Sequence, residues 1–152
     1  MRIALAVAFS MVAAAASTAQ AATYRVDDSA SLPRESSTSM KWRSFAPTRA
    51  SGNLVEGANQ VTVRLNLAPW LNRNGRIYMV LPEQPIGQVT AEWSTQGKLL
   101  PGQLQSGNRT LVYSGPIRAS MLEDTILLKL TADGRRLVSP LRLDFYFEID
   151  VD

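Results

Sequence analysis

LRLDFYFEIDV, residues 141–151, decides the fold of this chain. Its apolar side chains stand at every second position from Leu141 to Val151, and charged or tyrosine residues fill the positions between them. Successive residues of an extended strand face opposite sides, so this stretch presents one apolar and one polar face over roughly 35 Å. A helix would distribute the same apolar residues around its whole circumference. The pattern therefore predicts a β-strand that lies in a sheet and closes a core with its apolar face.

Similar alternation recurs along the chain and predicts further strands. Gln60 to Leu67 and Asp124 to Ala132 alternate, with Ile126, Leu128 and Leu130 facing inward, whereas the run 77–81 is apolar on both faces, as in a central strand. The predicted strands are 40–45, 60–67, 77–81, 89–94, 109–113, 124–132 and 141–151.

Seven or eight short strands with no amphipathic helix between them favour an all-β fold, a single antiparallel β-sandwich. An immunoglobulin-like Greek key is the favoured form. A jelly roll or a small barrel stays open, because one sequence does not fix the pairing of strands.

The segments between these strands are predicted as turns and loops. Ser51 to Asn59 contains two glycines and is predicted to be a loop, as is Leu100 to Gly107. Asn74-Gly75 predicts a tight reversal, because this dipeptide is favoured where two consecutive residues need positive φ. Asp133-Gly134 predicts a second reversal, and Met121-Leu122 predicts one turn of helix. All eight prolines fall outside the predicted strands.

The first 21 residues predict a cleaved signal peptide. Arg2 provides a positive start, residues 3–16 are apolar apart from Ser10, and Ala19-Gln20-Ala21 has the small-x-small form of a cleavage site. The apolar run is shorter than the about 20 residues that span a bilayer, which disfavours a membrane anchor. We therefore expect an exported protein of the periplasm or cell surface with no stable membrane span, divided into a leader (1–21), an N-terminal arm (22–39) and a β-sandwich domain (40–152).

The composition excludes several classes of active site. The chain has 16 Lys and Arg, 13 Asp and Glu, and neither His nor Cys. Without these two residue types, Ser-His-Asp catalysis, Cys-His catalysis and structural zinc sites cannot be assembled. The net charge of +3 is not concentrated in a basic cluster, so the sequence does not predict a nucleic-acid-binding surface. We therefore predict a protein that is not an enzyme and has no catalytic residues, no cofactor and no metal.

Acidic side chains on the polar face of the last strand are the remaining candidates for chemistry. They are Asp144, Glu148, Asp150 and Asp152. If acids on a neighbouring strand converged with them, they could serve Ca²⁺ binding or glycoside hydrolysis. Strand neighbours at i and i+2 lie almost 7 Å apart and seldom chelate one ion. The favoured interpretation is a solvated face paired with Arg or Lys on the adjacent strand.

The three tryptophans raise the possibility of a carbohydrate-binding platform. Trp42 and Trp93 occupy inward positions of their predicted strands, where core packing is expected. Trp70 lies next to Pro69 in a predicted loop and is the best candidate for an exposed aromatic and a ligand contact, although packing against the core is the general tendency of Trp. An exported module that binds carbohydrate or protein through loop aromatics is the alternative functional hypothesis.

The arm begins with a second alternating pattern. Its apolar residues stand at even-numbered positions, which share one face of a strand, and only Asp28 interrupts them: Tyr24, Val26, Ala30 and Leu32. An alternating arm at a free terminus can add as a strand to an open sheet edge, where main-chain hydrogen bonds give affinity and apolar side chains set the register. The sequence leaves open whether the arm pairs within its own domain, is disordered, or pairs with a neighbouring copy.

At the level of fold, an exported all-β domain with such an arm is similar to pilus (fimbrial) subunits. Those subunits often carry a disulfide, and this chain has no Cys. The main hypothesis is therefore a non-enzymatic structural or assembly protein of the bacterial envelope or surface. Its expected partners are proteins: further copies of itself or an assembly chaperone.

Overall fold

A computed structural model describes residues 21–33, 40–42, 52–85, 87–136 and 144–152. The predicted leader up to residue 20 and the first part of the 141–151 stretch lie outside these residues. Within the described residues the chain forms ten strands: β1 (Ala22–Arg25), β2 (Leu32–Pro33), β3 (Lys41–Trp42), β4 (Leu54–Asn66), β5 (Asn74–Leu81), β6 (Val89–Thr95), β7 (Gly102–Gln105), β8 (Asn108–Pro116), β9 (Met121–Asp133) and β10 (Tyr146–Val151). One 3₁₀ turn, Ala68–Trp70, follows β4. No described helix has the length and apolar character needed to cross a membrane.

The strands form two antiparallel sheets that enclose a common apolar core. Sheet I has the order β1-β10-β5-β8, and sheet II has the order β2-β4-β9-β6-β7, with β3 also paired to β4. Phe147, Ile149 and Val151 of β10 are buried in the core, as the alternation predicted. The prediction of an all-β antiparallel sandwich is confirmed, and immunoglobulin-like connectivity stays a prediction.

The centre of sheet II is the pairing of its two longest strands. β4 and β9 each have 13 residues and pair along their whole length, from Leu54 opposite Asp133 to Asn66 opposite Met121. Every second residue of β9, from Leu122 to Ala132, is buried. The alternation predicted for 124–132 is therefore confirmed, and it extends three residues further towards the N-terminus.

Two connections predicted from glycine content or helix propensity are wrong. The predicted loop at Ser51 to Asn59 is strand from Leu54 onward, because Val55 and Gly57 face the core opposite β9. The predicted helical turn at Met121-Leu122 is the start of β9, where Leu122 packs inside opposite Leu65. In both places, pairing with a long partner strand overrides a weak local preference.

The reversal predicted at Asn74-Gly75 is also displaced. The positive φ belongs to Asn72 (63°), and the Arg73 N–H donates to the Trp70 carbonyl at 3.2 Å. Gly75 lies inside β5, where a Cβ would stand 2.8 Å from Cδ1 of Ile149. This glycine therefore allows close approach of β10 to β5, and the connection carries the chain from one sheet to the other.

The remaining differences concern short strands. β7 lies within the predicted loop Leu100 to Gly107. Ten strands are described where seven or eight were expected, because the short strands β1, β2 and β7, of two to four residues each, lie outside the seven predicted ranges. Pro33 and Pro116 lie in strands, but each is the last residue of its strand, where the missing N–H removes little pairing.

Candidate functional site

The described part of the N-terminal arm pairs with both sheets of its own domain. β1 is antiparallel to β10, from Ala22 opposite Val151 to Arg25 opposite Glu148. β2 is antiparallel to β4, with Leu32 opposite Thr62. Since β10 belongs to sheet I and β4 to sheet II, the arm crosses one lateral side of the sandwich. We call the edge of β10 that pairs with β1 the acceptor edge.

Val26 anchors the arm where it passes from one sheet to the other. Its side chain is 1 % exposed and belongs to the core. Its N–H donates to the carbonyl of Phe147 at 2.9 Å, and the next carbonyl, of Asp27, accepts from the Asn66 N–H at 2.9 Å. Consecutive residues of the arm therefore bond to different sheets on either side of one buried side chain.

Tyr24 joins the arm to the turn after β4. Its ring lies 5.9 Å from the ring of Trp70, centroid to centroid, at an interplanar angle of 42°. Trp70 is only 8 % exposed, whereas Tyr24 is 46 % exposed. Trp70 therefore follows the general tendency of Trp to pack against the core, because the 3₁₀ turn places its indole in the core cluster, and the exposed position that a ligand contact would need is not observed. The tilted pair covers apolar surface at the acceptor edge.

Two polar contacts fix the register of β1 on the polar face of β10. The Thr23 hydroxyl donates to Oδ1 of Asp150 at 2.6 Å. The guanidinium carbon of Arg25 lies 4.4 Å from the ring centroid of Tyr146, a distance at which a cation is attracted to the face of the ring. A shift of β1 by one residue would turn both side chains to the other face of the sheet.

Acids on the polar face of β10 form ion pairs with an arginine of the same sheet. Arg109 of β8 reaches Glu148 and Asp150 at 3.4 Å each. Its guanidinium also lies 4.2 Å from the ring centroid of Tyr78 on the intervening strand β5. The acids are thus paired with Arg, as the favoured interpretation held, but this partner is two strands away. Within the described ranges, no three His, Cys, Asp or Glu residues are placed to hold a metal ion.

The other two acids of the predicted polar face, Asp144 and Asp152, are more exposed than Asp150. Asp152 lies 3.8 Å from Arg76 in an exposed pair, and Asp144 is exposed before β10 begins. Exposed pairs of this kind contribute little to stability. The polar face of β10 therefore holds the arm at Asp150 and is solvated towards both ends.

A turn interrupts the alternation of the arm between β1 and β2. The backbone N–H and hydroxyl of Ser29 donate to Oδ1 of Asp27 at 3.1 and 2.6 Å, and these bonds hold the pKa of Asp27 below its usual value. Burial raises the pKa of Asp28, whose carbonyl accepts from the Ser31 N–H at 2.9 Å. Asp28 breaks the apolar pattern because it stands in this turn.

The four residues predicted for strand addition occupy different environments. Val26 is fully buried, Tyr24 packs on Trp70, Ala30 is exposed in the turn, and Leu32 is 59 % exposed on β2. Sequence reasoning did not single out Thr23, Arg25 or Arg109. Thr23 and Arg25 stand at the positions of the arm that alternate with its apolar residues. This alternation could have predicted that both side chains lie on the polar face of the strand.

A shallow polar cleft lies on the opposite lateral side of the sandwich. Its volume is about 560 Å³, and its lining residues carry mainly amide, hydroxyl and guanidinium groups: Gln103, Gln105, Gly107, Asn108, Arg109 and Thr110. None of these six residues is aromatic.

Comparison of the chain with protein-family models, with curated proteins and with solved structures finds no match. The functional inference therefore depends on the geometry of the arm and of the two sheets.

Proposed function

We propose that this protein is an exported, non-enzymatic assembly or structural protein of the bacterial envelope or surface, and that it associates with protein partners by β-strand addition through its N-terminal arm. The observation that carries the proposal is the pairing of β1 with β10 at the edge of sheet I. The partners are further copies of the chain or an assembly chaperone. The predicted leader supports export.

The arm is built to be separable from the domain. All four residues of β1 are exposed, so its main-chain hydrogen bonds are accompanied by little burial of apolar surface. Each such bond has a net value of about 0.5–1.5 kcal/mol. Val26 is the only residue of Ala22–Leu32 that is fully buried. Release of β1 therefore costs much less than unfolding of the sandwich.

Release of β1 would leave a strong template for another strand. β10 is regular and its apolar side chains are already buried in the core, so its freed backbone groups would form an open edge. Such edges recruit strands from other chains. The arm of a second copy carries the same anchors, Thr23, Arg25 and Val26, and would make identical contacts.

Cysteine cross-linking tests the exchange without background, because the chain has no Cys. Arg25 and Glu148 are register partners, close enough for a disulfide. The variants Arg25→Cys and Glu148→Cys, each without the leader, are mixed and oxidised. If arms exchange between copies, the mixture gives a disulfide-linked heterodimer, and the double variant gives an intramolecular bond together with linked oligomers.

The matched control is Thr23→Cys mixed with Tyr146→Cys, which lies four residues out of register on the same face, at about 13 Å. This pair is expected to cross-link no more than random collision allows. Equal yields for the two mixtures, with only intramolecular bonds in the double variant, would show that the arm stays in its own domain. Fractionation of expressing bacteria tests export separately.

The second candidate function is binding of a polar ligand such as a carbohydrate. The polar cleft favours it, because amide and guanidinium groups line the cleft and it includes part of the predicted loop Leu100 to Gly107. Trp70 does not take part, since it is buried at the other side. Glycan-array binding that is lost in Gln103→Ala and kept in Trp70→Ala would support this function, and no binding by any of the proteins would remove it.

A further inference from the structure

A small cavity with an apolar floor lies at the end of the sandwich where β9 begins. Its volume is about 230 Å³. The floor is formed by Leu67, Ile117 and Leu122, which are at most 6 % exposed, and Met121 stands at the rim with 46 % of its surface exposed. We call it the end cavity. Its remaining lining residues are Lys98, Tyr113, Pro116, Arg118 and Ala119.

Backbone hydrogen bonds hold the walls of the end cavity in place. The Leu67 N–H donates to the Ser120 carbonyl at 2.7 Å, and the Asn72 N–H donates to the Ile117 carbonyl at 2.9 Å. The Tyr113 hydroxyl donates to the Pro116 carbonyl at 2.9 Å. The segment between β8 and β9 is thereby tied to the end of β4 and to the turn after it. Such a cavity is preformed, so a ligand would not have to order it.

The charge around the end cavity is positive. Lys98 and Arg118 are exposed, and neither has an ion-pair partner among the described residues. Of the two acids near the start of β9, Glu123 pairs with Arg64 at 2.6 Å, and the buried carboxylate of Asp124 accepts from the backbone N–H groups of Leu99 and Thr125 at 2.8 and 2.6 Å. As far as the described residues show, two cations without an ion-pair partner therefore stand beside an apolar floor.

We propose that the end cavity binds a small organic anion with an apolar body. The anionic group, a carboxylate or sulfonate, faces Lys98 and Arg118, and an aryl or short alkyl group lies on Leu67, Ile117 and Leu122. The cavity is smaller than the roughly 300 Å³ at which pockets for drug-sized ligands begin, which limits the body to about one ring or a short chain. The proposal is independent of strand addition, because no residue of the described part of the arm, 22–33, lines the cavity.

Amide chemical shifts of the chain without its leader test the site with three probes. Benzoate combines both features, benzyl alcohol has the ring without the charge, and acetate has the charge with almost no apolar body. Benzoate is expected to shift the amides of Leu67, Ile117 and Leu122 in a saturable way, whereas the other two probes shift them only weakly. No saturable shift with benzoate, or equal shifts with benzyl alcohol, would overturn the proposal.

Charge removal then identifies the cations. The double variant Lys98→Gln, Arg118→Gln is expected to raise the dissociation constant for benzoate by about threefold per cation removed. The matched control, Arg135→Gln with Arg136→Gln, changes the net charge equally beyond the opposite end of β9 and should bind like wild type. Equal weakening in both double variants would show that only net charge matters and would contradict the site.

A third variant tests the apolar floor without any change of charge. Ala119→Phe places a ring among the lining residues, where it would occupy the space of the ligand. It is expected to abolish the benzoate shifts, while the amide spectrum remains that of a folded β-sandwich. Undiminished binding in this variant would place the ligand elsewhere and would contradict the proposal.

Discussion

The two lateral sides of the sandwich are closed in different ways. On one side the arm crosses from sheet I to sheet II, and Val26 is the one buried residue of its described part, 22–33. On the other side β7 of sheet II leads directly into β8 of sheet I, and the Leu100 N–H bonds to the Val112 carbonyl at 2.7 Å. Trp93 packs there against Gly102, where a Cβ would stand 2.9 Å from its ring. The first closure is peripheral, whereas the second belongs to the core.

This contrast implies that the two sides differ in local stability. Segments with few buried contacts open at much lower free energy than the core. The arm side should therefore open while the β7–β8 side stays closed, which is the property that strand addition needs.

The largest effect is expected for Trp93→Ala on the β7–β8 side. The indole is buried, and its Nε1–H donates to the Leu100 carbonyl at 2.9 Å. Loss of a buried Trp side chain costs about 3–5 kcal/mol of unfolding free energy. Urea unfolding should show this loss in one cooperative transition. The exposed neighbour Glu92→Ala is the control, and a loss below about 1 kcal/mol would contradict the assignment of this side to the core.

A smaller and local effect is expected for Val26→Ala. Removal of two buried methyl groups costs about 1.5 kcal/mol, and the cost should appear as faster hydrogen exchange in β1 with unchanged protection in the β4–β9 ladder. Leu32→Ala, in the same arm but mostly exposed, is the matched control. Equal loss of protection in β1 and β9 would mean that the arm unfolds only with the domain.

Thr23→Val should weaken the arm by less. It removes the hydroxyl that donates to Asp150 while the shape is kept, and Asp150 retains Arg109 as a partner. We expect about 1 kcal/mol or less, measured as faster exchange of β1 amides. Thr23→Ser, which keeps the hydroxyl, should exchange like wild type. If both variants behave alike, this hydrogen bond does not hold the register.

The smallest effect concerns pH. Burial raises the pKa of Asp28 above its usual 3.8, so ionisation of this carboxyl disfavours the folded arm at neutral pH. As the pH falls, the carboxyl takes up its proton first in the folded state, and the penalty is gone once the pH is below 3.8. Asp28→Asn should therefore increase protection of the arm at pH 7 and have no effect at pH 3. An equal gain at both pH values would exclude ionisation of Asp28 as its cause.

Asp27 should respond in the opposite direction. Hydrogen bonds from Ser29 lower its pKa, so the support that it gives to the turn is present above 3.8 and is lost as pH falls through the lower folded-state pKa. This opposite sign makes Asp27→Asn the natural comparison for the Asp28 variant.

The alternation of apolar and polar side chains was the part of the sequence that predicted the strands reliably. It predicted the inward faces of β9 and β10, because one face of each strand is buried and register is then strongly specified. It failed where long-range pairing decides: Gly57 lies within β4 because β9 runs beside it, and Gly75 lies within β5 because β10 approaches closely. Neither cause is visible in a local window of sequence.

The arm site was predictable only in part. The parity of Tyr24 and Val26 indicated a strand, but the turn at Asp27 to Ser31 divides the arm between two sheets. Arg109 was not predictable as the partner of Glu148 and Asp150, because its place beside them depends on strand order. Trp70 was expected in a loop, and packing against Tyr24 and the core decided its burial.

The register of β1 on β10 places Ala22 directly opposite Val151. A circular permutant is therefore geometrically simple: a few glycines can join Asp152 to Ala22 once residues 1–21 are removed, and new termini can be opened in an exposed loop elsewhere. Such a permutant would tether the arm at both ends and keep the sandwich intact. It would fix permanently the strand that we propose to exchange between copies.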